Sequence, residues 1–315
     1  MPVVPAMSYK IGVDGGGTKT ECLLIDRQGR VVARHTGPGC NPSVIGQDQA
    51  AVIITAALEA LRAQAVADFT QHHGPAGESQ TLITHTLLCM AGHRGFWQEL
   101  AATRTGFGRV TTTDDSLPVL ELATHGQPGL VLHAGTGSFV AARAPDGSVH
   151  YAGGRGWRFD DPGSAYDLGQ RAIARALLEL QGWAPLSGLG PMVREHTGLS
   201  ATTDASAVTR YFYQQTEPNR VIAALAPAVL RLASEHDSAA HELAAASAGE
   251  LLDLAVTVAT KLFSASQLGT LTAGVSGPIL THPVVHAALA ARSPFMLVPV
   301  VGAPIEGVRQ MLARI

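Results

Sequence analysis

Ile11-Gly12-Val13-Asp14-Gly15-Gly16-Gly17-Thr18-Lys19-Thr20, continued by Glu21-Cys22-Leu23-Leu24-Ile25-Asp26, reads as a β-hairpin with a glycine tip. An apolar run ends in an acidic residue, three glycines follow with hydroxyl and ammonium side chains, and a second apolar run leads back out. Three adjacent residues without Cβ let backbone N–H groups converge on an anion. Thr18, Lys19 and Thr20 add donors, and Asp14 can hold a hydrated divalent cation. The pattern points to a nucleotide phosphate with Mg²⁺. The plain alternative is a tight turn that uses glycine for positive φ, for which one glycine would suffice. A P-loop and a dinucleotide fingerprint both fail, the first on spacing and the second because the segment after the glycines is strand-like.

The same design recurs downstream. Leu130-Val131-Leu132-His133-Ala134 runs into Gly135-Thr136-Gly137-Ser138, then Phe139 to Arg143, an Asp146-Gly147 turn and Val149-His150-Tyr151. Two phosphate-type hairpins about 120 residues apart imply a duplicated unit. The nucleotide is expected between the halves.

Bulk properties agree with an enzyme of small molecules. The chain has 315 residues, enough for two domains, with 46% apolar and 15% charged residues. A net charge of −3 offers no footprint for nucleic acid or an anionic membrane. The first ten residues lack a basic segment followed by an apolar one, and no window of about twenty apolar residues stands out elsewhere, so a cytoplasmic protein is expected. Cys22, Cys40 and Cys89 are odd in number and widely spaced, which disfavours a disulfide framework, a cysteine-rich zinc site or an iron–sulfur cluster held within one chain. His72-His73 is assigned to a polar loop rather than to a metal.

After the first hairpin, Val31 to His35 reads as a third strand and residues 37–43 as a loop. At its tip Asn41 can either meet a sugar hydroxyl or start a turn before Pro42. A helix is expected from Gln47 to about Val66, a polar loop over 74–80, a strand over 81–90 ending at Ala91-Gly92-His93, a helix from Phe96, and a short strand ending at Asp114-Asp115. The segment Gly153 to Ser164 should be a functional loop, since a glycine-rich connection inside a compact domain usually serves a site. Residues 164–180 and most of 204–265 read as helices, Leu268 to Ala273 as a strand entering Gly274-Val275-Ser276-Gly277, 295–300 as a last strand and 302–315 as a terminal helix.

Together these segments resemble the sugar-kinase, heat-shock-protein and actin ATPase superfamily. Within it they resemble the N-acetylglucosamine kinase family, grouped with the dehydratase-activating ATPases as BadF/BadG/BcrA/BcrD-type ATPases. The resemblance rests on Asp14 to Thr20, Thr113-Asp114, Gly135 to Ser138 and Gly274 to Gly277, in that order. It implies an α/β fold of two ribonuclease-H-like (actin-like ATPase) domains with an active-site cleft between them. The first domain would span 1–123 plus 302–315, and the second 124–301. It also implies ATP and Mg²⁺ as cofactors, a small sugar as substrate, no nucleic-acid or membrane partner, and leaves a homodimer open.

By the same resemblance Asp114 is the general base and Asp14 the Mg²⁺-side carboxylate. Gly15, Gly16, Gly17, Thr18, Lys19, Gly135, Thr136, Gly137, Ser138, Gly274, Val275 and Ser276 bind nucleotide, and Asn41, Gly92, Asp114, Thr136, Trp157, Asp161 and Ser164 meet the sugar. Asp115 ranks second as base because alternation along a continuing strand would turn it to the opposite face. Two positions depart from the family pattern. Arg155 stands where relatives place an aromatic near the amino sugar, with Trp157 a shifted substitute, and Pro162 stands in place of a Glu. Arg155 raises the option of an acidic sugar. An activator or regulatory ATPase and a non-catalytic sugar sensor are the competing functions.

Overall fold

The protein is described by a computed structural model covering residues 8–74, 82–159, 161–200, 202 and 204–315. The chain divides into two compact units, Met1–His125 with Val301–Ile315, and Gly126–Val300.

In the first unit β1 (Tyr9–Gly15), β2 (Lys19–Ile25) and β3 (Val31–Pro38) form an antiparallel meander. The helices α1 (Pro42–Ile45) and α2 (Gln47–His73) follow, then β4 (Ile83–Met90), α3 (Arg94–Ala102), β5 (Arg109–Asp114) and α4 (Ser116–Thr124). The sheet order is β3-β2-β1-β4-β5, with β4 and β5 parallel to β1. Alternate strand residues sort to two faces, as a pleated strand requires. Cys22 and Leu24 join Ile11 and Val13 in a core with Ile54, Leu58 and Leu61 of α2, whereas Leu23, Ile25, Leu87 and Cys89 face the opposite way.

The second unit repeats the scheme with β6 (Gly129–Ala134), β7 (Ser138–Arg143) and β8 (Val149–Gly153). A helical stretch comes next: α5 (Ala165–Leu180), α6 (Leu189–Thr197), α7 (Ala205–Tyr213), α8 (Pro218–Ala223), α9 (Ala226–Ser234), α10 (Ser238–Leu262) and α11 (Ala265–Leu268). It is followed by β9 (Thr272–Ser276), α12 (Pro283–Arg292) and β10 (Met296–Pro299). The sheet order, β8-β7-β6-β9-β10, matches that of the first unit strand for strand. Three antiparallel strands extended by two parallel ones, twice over, is the ribonuclease-H-like duplication. The core of this unit packs Leu130, Leu132, Val140 and Ala142 against Leu168, Val229, Leu251 and Leu252.

The chain then returns as α13 (Pro304–Ala313) to cover the second face of the first sheet with Ile305, Val308 and Leu312. Two glycines permit the approach. A Cβ on Gly12 would strike Val308 and Leu312, and one on Gly307 would strike the backbone of Pro118 in α4.

Several sequence expectations are corrected. α2 continues to His73, so His72 and His73 lie in its last turn, with the Phe69 and His73 rings 5.2 Å apart; residues 75–80 of the expected polar loop lie outside the described residues. Residues 265–268 are helical because Ser264 and Gln267 form a capping box, which delays the strand to Thr272. Contrary to the hydropathy reading, α2 and α10 are long and apolar enough to cross a membrane by length and composition; their Ile54, Leu58, Leu251 and Leu252 are spent in the cores.

Candidate functional site

In the first unit the chemistry collects at the carboxyl ends of the central strands, where open parallel sheets place their ligands. Gly15 of β1 pairs with Met90 of β4, and Met90 with Asp114 of β5, so hairpin tip and carboxylate share one row of the sheet. The Gly16 N–H donates to the Lys19 carbonyl at 3.0 Å to close the tip. The strand exit after β3 clamps it: Gly39 N–H donates to Thr18 O at 3.1 Å and Cys40 N–H to Gly16 O at 3.0 Å. Thr20, fully buried, donates its hydroxyl to Pro38 O at 2.8 Å, so it braces the clamp rather than facing outward.

None of the three tip glycines has left-handed φ. Gly15 is small because Met90 and Cys40 sulfur atoms occupy its Cβ position. At Gly17 a Cβ would meet nothing within 4 Å. Neither backbone conformation nor packing therefore explains Gly17. The positive-φ explanation for these glycines fails.

Lys19 is exposed and ion-paired to Glu21 at 2.7 Å. Asn41 is the N-cap of α1, its Oδ1 accepting from Ser43 N–H at 2.9 Å, and the same oxygen lies against Gly92, whose φ of +91° and lack of Cβ make room for it. The structure thus brings Asn41 and Gly92 together.

The carboxylates behave differently from a simple alternating strand. Asp114 is exposed at the end of β5. The strand stops there, and Asp115 turns into helical conformation at the α4 N-cap position without making a side-chain cap bond. Its half-buried carboxyl is pushed up to about 6, by burial and then by the Asp114 charge. Asp14 is pushed up to about 7, by burial first, then by the charges of Asp115 and Glu21, against the opposing pull of Lys19. The Asp115 charge thus adds to the upward push on Asp14, and the strand on which the alternation argument depended ends at Asp114.

Negative charge so concentrated suits a divalent cation. Among the described residues no group of three or more His, Cys, Asp or Glu side chains is placed to hold a metal. One carboxylate, with a ligand's phosphate oxygens and water, is the usual protein share for Mg²⁺. Asp14 fits that share.

In the second unit Gly135 N–H donates to Gly137 O at 2.9 Å at the hairpin tip, leaving Thr136 exposed. The loop after β8 is tied to this tip at three points: Ser138 Oγ donates to Pro162 O at 2.7 Å, Ala165 N–H to Gly135 O at 2.8 Å, and a Cβ on Gly137 would stand 3.4 Å from the Asp161 carboxylate. Ser138 and Ser164 are buried, and Ser164 caps α5 by accepting from Asp167 N–H at 3.1 Å. Both hydroxyls, expected to meet ligand, are committed to holding the loop. Asp167 completes the brace, accepting from Gly163 N–H, Ser247 Oγ and Arg171.

Trp157 packs against Tyr166, ring centroids 5.4 Å apart, with Arg158 over its face. With Asp161 and Gln170 it lines a cavity of about 180 Å³. Asp160 lies outside the described residues.

Gly274 and Val275 are strand residues of β9. Val275 is buried and its carbonyl accepts from Val300 N–H at 2.8 Å; Ser276 ends the strand and the turn starts at Gly277. Sequence reasoning missed His133, whose Nδ1 is 3.2 Å from Ser276 Oγ. The available signal was a histidine inside an apolar run, one residue before Ala134 and the glycines.

Known proteins agree with this architecture. The chain is 24% identical over 262 residues to an N-acetyl-D-glucosamine kinase of Dictyostelium discoideum, covering 80% of this chain and 79% of that one. It is 26% identical over 192 residues to a glucosamine kinase of Vibrio cholerae, covering 60% of this chain and 62% of the relative. A crystal structure from Chromobacterium violaceum, of a protein provisionally named as an N-acetylglucosamine kinase, superposes with a TM-score of 0.73 at 26% identity over 98% of this chain and all of the other. The sequence profile of the BadF/BadG/BcrA/BcrD ATPase family matches residues 11–278, and the chain belongs to that family.

Proposed function

We propose that the protein is an ATP-dependent kinase of an amino sugar, converting N-acetylglucosamine to its 6-phosphate, with glucosamine or a related amino sugar as the next candidate acceptor. The observation that carries this reading is Gly17, which has no side chain although a Cβ there would meet nothing within 4 Å, at the tip of a hairpin whose Gly15 shares a sheet row with Asp114. The relatives named as kinases of N-acetylglucosamine and glucosamine support the substrate class.

In this reading Gly15 to Lys19 and Gly135 to Gly137 bind nucleotide phosphate, with Ser276 beside the adenosine. Asn41, whose Oδ1 is spent on the cap, presents its amide NH₂ to a sugar oxygen, while Gly92, Thr136, Asp161 and Trp157 complete the sugar side. The sugar hydroxyl oxygen attacks the γ-phosphorus, its proton passes to an oxygen of Asp114, and ADP leaves with the broken P–O bond's electrons. Mg²⁺, held through Asp14, would neutralise charge on the transferring group. Ser138 and Ser164 position the loop. The substrates are water-soluble metabolites, so a cytoplasmic location goes with this reading.

The dehydratase-activator alternative needs cysteines that share a cluster between two chains. Cys22, Cys40 and Cys89 are all buried, and burial raises their thiols, Cys22 to about 12 and Cys40 to about 11, which opposes thiolate ligation. A coupled ADP-release assay over N-acetylglucosamine, glucosamine and glucose tests the proposal. Sugar-dependent release with an amino sugar is expected; ATP hydrolysis indifferent to every sugar would favour a regulatory ATPase.

A further inference from the structure

His133 lies on β6, directly across from Ser276 of β9 in the parallel register, and its Nδ1 is 3.2 Å from the Ser276 hydroxyl. Its other nitrogen, Nε2, would stand 3.5 Å from a Cβ on Gly135, so the ring edge lies under the second phosphate hairpin. The ring face stacks on Phe139 at 4.9 Å between centroids, and Phe139 stacks on Tyr151 at 5.3 Å, which fixes the imidazole plane. Beside this contact, Gly277 at φ +87° packs on the backbone of Ala134, where any Cβ would collide, and Ile279 N–H donates to Ala134 O at 3.4 Å. Burial pushes the His133 imidazolium down to about 4, so the ring is neutral near pH 7.

We infer that His133 is a positioning residue of the nucleotide site: through Ser276 it locks the second phosphate hairpin to the turn after β9 at one spacing. This deepens the kinase reading and rests on it. A nucleotide that spans from phosphate hairpin to Ser276 is held tightly only if the two segments keep their separation, since small misplacements of binding groups are costly. The backbone contact at Gly277 sets the approach of the two segments. The His133–Ser276 bond sets where the Ser276 side chain points.

The test measures ATP affinity by calorimetry and steady-state kinetics on the full chain, with Mg²⁺ and N-acetylglucosamine as probe sugar. His133→Phe keeps the stack and removes the bond; Ser276→Ala removes the partner; His133→Asn can place an amide atom where Nδ1 was. Each of the first two should weaken ATP about three- to tenfold, the loss of one buried hydrogen bond. The double variant should be no weaker than the worse single, because both remove the same interaction. The KM for ATP should rise more than kcat falls, and His133→Asn should stay within about twofold of wild type. Wild-type ATP affinity in His133→Phe, or additive losses in the double variant, would overturn the inference while leaving the kinase reading intact. A wild-type chain that binds no ATP would overturn both.

Discussion

Gly39 packs against the carbonyl of Gly17 so closely that any Cβ on Gly39 would collide with it, whereas Gly17 itself faces open space. The pair separates structural from functional glycine within one turn. Gly39→Ala should destabilise the chain by about 1–3 kcal/mol, because rigid backbone must move. Gly17→Ala should leave the melting temperature near wild type, within about 0.5 kcal/mol of stability, and weaken ATP at least about tenfold by filling the space a phosphate needs. Thermal melts and ATP titrations on the two variants decide it. Unchanged ATP affinity in a folded Gly17→Ala would remove the observation on which the kinase proposal stands.

The aspartates predict three distinct kinetic signatures. Asp114→Asn keeps the side-chain shape and removes the basic oxygen, so kcat should fall about a hundred- to ten-thousand-fold with little change in sugar KM. Asp14→Asn should instead raise the Mg²⁺ concentration needed for half-maximal rate, and added Mg²⁺ should recover part of the loss. Asp115→Asn should relieve the repulsion on Asp14 and cost far less turnover than Asp114→Asn. Near-normal turnover in Asp114→Asn, with the loss in Asp115→Asn, would assign the base to Asp115.

Much of this site is legible in the sequence, and the reason is local. Both hairpins announce themselves because glycines interrupt apolar strand runs at two equivalent places, and a duplicated strand order follows from that repetition. What escapes is tertiary. That Ser138 and Ser164 are buried anchors depends on Pro162 and Asp167 folding back on them, and that Val275 is core depends on β9 lying between β6 and β10. The premise of alternation at Asp115 gives way for a local reason that only the backbone reveals: the strand ends at Asp114, one residue earlier than alternation assumed.

His133 carries a pH signature. Its folded pKa is lowered to about 4 from an ordinary 6.5, so between these values the unfolded chain binds a proton that the native chain does not. The sign follows directly: stability from this group rises with pH across the window and is lost on acidification from about 6.5 towards 4, by no more than about 3 kcal/mol. Asp14 and Asp115, raised by burial, act with the opposite sign and are common to both proteins compared. Urea midpoints of wild type and His133→Phe from pH 4 to 7 should therefore diverge on the acid side, the variant being less sensitive to acid. Parallel curves would show that the imidazole titrates normally.

Arg155 tests the charge of the substrate. It is exposed in a bend between Gly154 at φ +64° and Gly156 at φ +92°, and Gly154 packs on the Tyr151 hydroxyl. A neutral amino sugar offers a guanidinium little beyond a hydrogen bond. A sugar with a lactyl carboxylate, such as N-acetylmuramic acid, offers a charge-assisted pair, worth about tenfold in affinity when partly desolvated. Arg155→Ala is expected to lower kcat/KM for the carboxylate-bearing sugar about tenfold while changing that for N-acetylglucosamine less than about twofold, and the difference should shrink at high salt. Equal losses on both sugars would show that Arg155 shapes the loop and reads no charge.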